Sequence, residues 1–305
     1  MFGGWRAAWG KYIMPRHVIE CFAIADVELR KLIRDPTELL SRAIQPVLWL
    51  AVFGQVLSHV RGIDTGKAGY LAFMTPGILA QSVLFSAIFY GIAVIWERDL
   101  GIVHKLLVSP ASRWSLVLGK AIAADFRGLV QATVIYAIAL LMHVSIRWEP
   151  LAVLEVLLVV ALGSGIFSTF SLLIACIVKT RERFMGIGQV LTMPLFFASN
   201  AIYPLSIMPP WLRAIATLNP LTYLVDALRG LMVTDEQSVY GLGFDCAVLV
   251  LVFIALLAVA VRLYPKLVQK HRRSDPTRGC AGARNNVRRT PSDGSRARTD
   301  GCPER

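Results

Sequence analysis

Six long runs without a charged residue constrain this chain more than any other feature: 43–60, 68–96, 128–146, 156–178, 184–212 and 246–261. A helix of about 20 apolar residues crosses the ~30 Å hydrocarbon core of a bilayer, with ~17 to 25 residues as the usual range. The first, third and fourth runs each fit one crossing. The second has 29 residues and holds Pro76-Gly77, so it reads as one long or kinked helix. The last reaches crossing length only with Gly241–Phe244 and Asp245 at its outer edge. A soluble domain needs roughly a quarter of its residues charged to cover its surface. Here 17% are charged and 55% hydrophobic. The expectation is an all-α integral membrane protein. Six transmembrane helices occupy 44–264, after a cytoplasmic segment 1–43 and before a basic cytoplasmic tail 265–305.

Basic residues set the expected orientation. With alternating spans, 27 of the 32 Lys and Arg fall on the side of the termini, and only Arg61, Lys67, Arg147, Arg213 and Arg229 on the other. The positive-inside rule then places both termini in the cytoplasm. Of the net charge of +12, the segment 262–305 supplies +8. Its Arg, Gly, Ser, Thr, Pro and Asp cannot build a core. It reads as a solvated tail attracted to anionic lipid headgroups, not as a nucleic-acid-binding element. The five cysteines (Cys21, Cys176, Cys246, Cys280, Cys302) show no CxxC pair and no metal spacing with His. No cleavable signal peptide is expected at the N-terminus.

The segments between the spans carry the functional hints. Val18, Ile19, Phe22, Leu29, Leu32 and Ile33 recur at near-helical spacing, opposite Glu20, Glu28, Arg30, Lys31 and Arg34. This pattern predicts an amphipathic helix in the membrane interface, with packing on soluble protein as the alternative. Asp35-Pro36 ends it. Between spans two and three, Leu100, Val103, His104, Leu107 and Val108 share one face of a short helix that Ser109-Pro110 would close. Such a helix is a docking handle for a partner. Lys120, Asp125 and Arg127 precede the third run, and the reading is that the helix starts in the cytoplasm with Arg127 snorkelling to the inner boundary. The stretch 199–240 contains two apolar pieces too short to cross, separated by Asn219-Pro220. It reads as an outer gate or lid dipping into the bilayer, with Trp211, Tyr203 and Tyr223 at headgroup level.

Power for transport is missing from the chain. It holds no GxxxxGK[ST] phosphate loop, no HExxH, no GxSxG and no paired carboxylates. The polar residues inside the runs, Gln81, Ser82, Gln131, Gln189, Thr192 and Asn200, are uncharged. Glu155 and His143, the candidates for ion coupling, lie near span ends.

Three stretches resemble the type 2 permease subunits of bacterial ABC exporters, in the multidrug, daunorubicin-resistance and nodulation-factor branch. They are Arg34-Asp35-Pro36, then Trp96-Glu97-Arg98-Asp99 through Ser109-Pro110 and Leu118-Gly119-Lys120, then Leu218–Tyr223 through Asp226-Ala227-Leu228-Arg229. The resemblance implies export of a drug-like, antibiotic or lipid-linked compound. It implies a second transmembrane half, either another copy or a homologous permease, in the bacterial inner membrane. A separate ATP-binding subunit would hold ATP and Mg, with no cofactor in this chain and no catalytic residue. By the same resemblance Glu97, Arg98, Gly101, Lys105, Leu106, Leu107, Ser109 and Pro110 form a coupling helix on that subunit. Tyr203, Pro204, Asn219, Pro220, Asp226 and Arg229 belong to re-entrant outer helices, and 18–34 is the connecting helix. The long Arg-rich tail departs from the family pattern. Competing classes are an ion-coupled carrier or channel, and a membrane enzyme acting on a lipid carrier. The enzyme would need a cluster of acidic or His residues at one interface, which the sequence does not supply. The carrier has only Glu155 and His143, near span ends, as candidates.

Overall fold

In the computed structural model, residues 16–34, 44–58, 69–102, 113–178, 180–234 and 238–263 are described, and they are helical with short connections. Helix α1 is Arg16–Arg34. Helix α2 covers 44–58 and winds as a π-helix over Trp49–Gly54. Four longer elements follow: α3 Gly69–Asp99, α4 Arg113–Leu141, α5 Pro150–Ile177 and α6 Arg181–Phe197. A 3-10 turn at Leu205–Ile207 leads to α7 Pro210–Leu218 and α8 Pro220–Met232, and α9 is Leu242–Leu263. No strand forms among the described residues. One antiparallel bridge joins Ile146 to Val233.

Helix α5 is the hub, packed against α3, α4, α6, α8 and α9. Its sequence explains this. The run Gly163-Ser164-Gly165 has almost no side-chain volume, and lipid tails are as apolar as leucine, so helices in a bilayer associate where small residues permit close approach. Leu224 of α8 sits where a β-carbon on Gly163 would stand, 2.6 Å from that position. Ser164 donates to the Ala124 carbonyl of α4 at 2.8 Å, which fastens a second neighbour to the same stretch. The main core joins α3, α4, α5 and α8 through Leu79, Leu84, Ile88, Ala132, Phe167, Leu224 and Leu228.

Among the described residues, four helices are long and apolar enough to cross a membrane: α3, α4 from Trp114, α5 and α9. The two remaining charge-free runs form shorter helices. The 15 residues of α2 span about 22 Å and the 17 of α6 about 26 Å, at ~1.5 Å per residue. Only the first half of the run 184–212 belongs to α6, and its last three residues open α7. Pro194 removes a backbone donor near the end of α6, and the chain turns at Ala198–Ala201.

The helix of the third run starts ahead of it, as expected: α4 holds Lys120, Asp125 and Arg127, and the chain leaves the helix before Val144, with His143 at φ 52°. Arg127 does not snorkel to a boundary. It is 6% exposed, because its face of α4 turns inward onto α3, where an aromatic ring receives it. Helix α1 lays Cys21, Ala25 and Glu28 against α4, so packing on the bundle orients it, while Phe22 and Val27 remain exposed. The expected tail, 265–305, lies outside the described residues.

Candidate functional site

Two polar knots stand at the two ends of α3. Phe73 and Glu97 mark them, 24 residues and so about 36 Å apart along that helix.

At the Glu97 end, Lys120 Nζ donates to Glu97 Oε2 at 2.6 Å and to Glu28 Oε1 at 3.4 Å. The three side chains come from α3, α4 and α1, and all are more than nine-tenths buried. Helix α1 reaches the site because Gly119 of α4 leaves room for it. A β-carbon there would stand 2.9 Å from Ile24 Cβ and 3.0 Å from the Cys21 carbonyl. Burial pushes the Cys21 thiol above its ordinary value, so it packs as a neutral group. Cys21, Cys176 and Cys246 are all free.

The last turn of α3 is held on its other side as well. Arg98 Nη1 donates to the Val178 carbonyl at 3.1 Å, just past the end of α5. Asp99 accepts from Arg98 and from Arg181 at 3.3 and 3.2 Å, and the Arg181 guanidinium stacks 3.5 Å from the Trp96 ring centre. These outer pairs are partly exposed, and such pairs contribute about 0–1 kcal/mol. The buried triad is different in kind, because removing one partner strands a charge away from water. Together these contacts tie α1, α4, α5 and α6 to the root of the α3–α4 connection.

Of the residues expected to couple to a partner, Glu97 and Arg98 therefore point into the bundle. Gly101 follows at φ 73°, a left-handed conformation suited to glycine, and Leu100 and Ile102 on either side are exposed. Lys105, Leu106, Leu107, Ser109 and Pro110 lie outside the described residues. The sequence reading gave Glu28 to the polar face of α1 and missed its pairing with Lys120. The available signal was a lysine within an otherwise apolar stretch, which demands a carboxylate partner.

One turn and more further into the bundle lies Tyr90. Lys120 Nζ is 5.7 Å and the Arg127 guanidinium 4.5 Å from its ring centre. Cations are attracted to the negative face of an aromatic ring at such distances.

At the Phe73 end, Asn219 caps α8. Its Oδ1 accepts from Leu221 N at 3.0 Å, and its Nδ2 donates to the Leu195 carbonyl of α6 at 2.6 Å. Pro220 occupies the first turn, where its missing N–H costs nothing. Tyr223 donates to the Thr217 carbonyl at 2.7 Å, and Tyr203 donates to the Phe197 carbonyl. Pro204 precedes the 3-10 turn. The six expected outer residues thus fall in one connected region. Substituting Asn219 with Ala is expected to lower stability by about 1–2 kcal/mol through loss of the cap, read as a lower unfolding temperature in detergent.

Asp226 and Arg229, expected near one face of α8, take different partners. Asp226 and Asp245 are both fully buried, and the Ser238 hydroxyl lies 3.0 Å from Oδ2 of the first and 2.7 Å from Oδ2 of the second. Tyr240 N also donates to Asp226 Oδ2 at 3.2 Å. This set fastens α8 to α9. Arg229 Nη2 donates to the Asn200 carbonyl at 2.7 Å, with its guanidinium 3.8 Å from the Phe73 ring centre. That contact fastens α8 to α3 and to the turn after α6. Arg147 N donates to the Met232 carbonyl at 2.8 Å, which adds the α4–α5 connection.

The chain belongs to the ABC-2 type transporter family, whose match covers residues 19–233. It is similar to the putative transport permease ycf38 of Cyanophora paradoxa, 31% identical over 69% of this chain and 73% of the relative. It is also similar to the probable multidrug ABC transporter permease YbhR of Escherichia coli K12, 29% identical over 58% of this chain and 48% of that protein. The daunorubicin resistance ABC transporter permease protein DrrB1 of Streptomyces coeruleorubidus is 23% identical over 65% of this chain and 69% of its own length. The family and the apolar helices make this chain a multi-pass membrane permease of the ABC transporter class.

Proposed function

We propose that the chain is the membrane-spanning subunit of an ATP-driven exporter in the bacterial inner membrane, moving an amphipathic drug-like, antibiotic or lipid-linked compound out of the cytoplasm. Helices α2 and α6 complete six crossings, both termini are cytoplasmic, and the Glu97 end faces the cytoplasm. A second copy or a homologous permease supplies the other half. A separate subunit binds ATP and Mg. Work comes from the different affinity of that subunit's two conformations for ATP.

The observation that carries this reading is the buried tie of Glu97, Lys120 and Glu28. It makes the root of the α3–α4 connection rigid with α1 and α4, so a push on that connection moves helices and does not merely bend a loop. The pair α7–α8 at the far end acts as the outer gate. Its ties to α3, α6 and α9 give helix motion a route to it.

Reconstitution tests the proposal. The purified chain alone is expected to hydrolyse no ATP, and with its ATP-binding subunit to move an amphiphile only when ATP is present. Leu106→Ala is expected to weaken co-purification of the two subunits. Glu97→Ala is expected to weaken it too, through loss of the tie. Flux that continues without ATP would instead make the chain an ion-coupled carrier or channel. Turnover of a lipid carrier by the chain alone would make it an enzyme.

A further inference from the structure

With both carboxylates ionised, the tie between α8 and α9 is one hydrogen short of its contacts. Ser238 Oγ has three polar neighbours: Gly241 N at 2.7 Å, Asp245 Oδ2 at 2.7 Å and Asp226 Oδ2 at 3.0 Å. Gly241 N can only donate. A serine hydroxyl has one hydrogen and two lone pairs. Its hydrogen serves one carboxyl oxygen, and the other oxygen then faces a lone pair across a hydrogen-bonding distance. One neutral carboxyl completes the set, because its O–H donates to Oγ and uses the second lone pair.

The backbone decides which carboxyl is neutral. Asp226 Oδ2 already accepts from Tyr240 N at 3.2 Å, so it accepts the Ser238 hydrogen as well. Asp245 Oδ2 meets no backbone donor among the described residues, and its contact is with Ser238. The bonds then run one way, from Asp245 O–H to Ser238 O–H to Asp226.

Burial makes two charges here costly. Both aspartates are 0% exposed, and Oδ1 of each is buried without a partner. Two close carboxylates away from water do not both stay ionised. The charged side chain acting on Asp245 is Asp226, while Tyr223 of α8 and Arg213 of α7 act on Tyr240 beside them. Helix α5, also packed on α9, has Glu155 as its one charged residue. From α4, Asp125 stands by Gly165, whose neighbour Phe253 is eight residues, or about 12 Å, further along α9 than Asp245. Asp235 and Glu236 lie outside the described residues.

We propose that Asp245 carries a proton, donates it to Ser238, and by that proton latches α8 to α9. When the proton passes to water, Asp245 becomes a carboxylate, and two carboxylates compete for one hydroxyl hydrogen. The latch then loosens. Ser238 and Tyr240 are half-buried and Val239 between them is exposed, so the proton has a short way to solvent. The inference goes beyond the permease reading and stands without it. Joined to that reading, it makes the outer gate responsive to acidity outside the cell.

Infrared spectra of the full chain in a neutral maltoside detergent test where the proton is. At neutral pH, wild type minus Asp245→Asn is expected to show the C=O band of one protonated carboxyl, which disappears as the pH is raised. In Ser238→Ala the band is expected to move, because the O–H loses its acceptor. Absence of the band overturns the proposal, as does a band lost in Asp226→Asn but kept in Asp245→Asn. If Asp245→Asn fails to fold, an unmoved band in Ser238→Ala overturns it. Amide hydrogen exchange tests the latch itself. At a pH where the band has gone, Ser238–Asp245 is expected to exchange about tenfold faster in wild type than in Asp245→Asn, the factor for one lost hydrogen bond of ordinary strength. The amide of that variant donates to Ser238 at every pH. Equal exchange in the two proteins overturns the latch.

Discussion

Replacing Lys120 with Ala is expected to destabilise the chain by about 3–5 kcal/mol, the cost of stranding buried charges when one partner of a buried ion pair is removed. Glu28 and Glu97 are 5% and 7% exposed, and both converge on the Lys120 ammonium. Without it, two carboxylates face each other with little water to screen them. The destabilisation should appear as a lower unfolding temperature in detergent. A compensated variant separates electrostatics from packing. Glu28→Gln and Glu97→Gln with Lys120→Met removes all three charges and should recover most of the loss, since apolar replacement of a whole buried network is often neutral. The assignment of the triad as the structural tie fails if Lys120→Ala melts at the wild-type temperature. It also fails if the uncharged triple variant melts no higher than the single one.

Gly77→Ala is the second large effect, through a different mechanism. Gly77 lies in α3 just after Pro76, directly under the turn that follows α6. A β-carbon there would stand 2.9 Å from both the carbonyl carbon and the Cα of Ala201, and closer still to the Ala201 oxygen. Because these atoms are backbone, no rotamer change relieves the contact. The turn must shift, and with it the Asn200 carbonyl that accepts from Arg229. Overpacking of this kind costs about 1–3 kcal/mol. In thermal unfolding, Gly77→Ala should fall well below wild type, whereas Gly186→Ala should not, because nothing lies within 4 Å of that position. Equal stability of the two variants would refute the close approach at Ala201.

These effects show what a single sequence makes legible. Charge-free runs announced the four described helices long enough to cross, because the cost of a charge in hydrocarbon is written into composition. The start of α4 at Arg113, ahead of the third run, agrees with the sequence reading. The runs did not disclose that Lys120 and Arg127 are tolerated inside α4 because Glu97 and Tyr90 meet them from α3. Partners between helices leave no periodic trace in either helix. The outer segment was legible for the opposite reason. Asn219-Pro220 is a local signal, a cap followed by a residue suited to the first turn, and α8 begins there. The separate fates of Asp226 and Arg229 were not legible, since spacing places both near one face and only the neighbouring helices decide their partners.

The link between Glu97 and Lys120 also bears on how the chain enters the bilayer during synthesis. The two residues are 23 positions apart, at the end of one crossing and inside the next. Lys120 stands in the second turn of α4, and a buried lysine there without a partner adds to the cost of placing the helix in hydrocarbon. Paired with the glutamate of the preceding helix, it arrives already neutralised. On this ground α4 is expected to insert together with α3, as a hairpin closed by that pair.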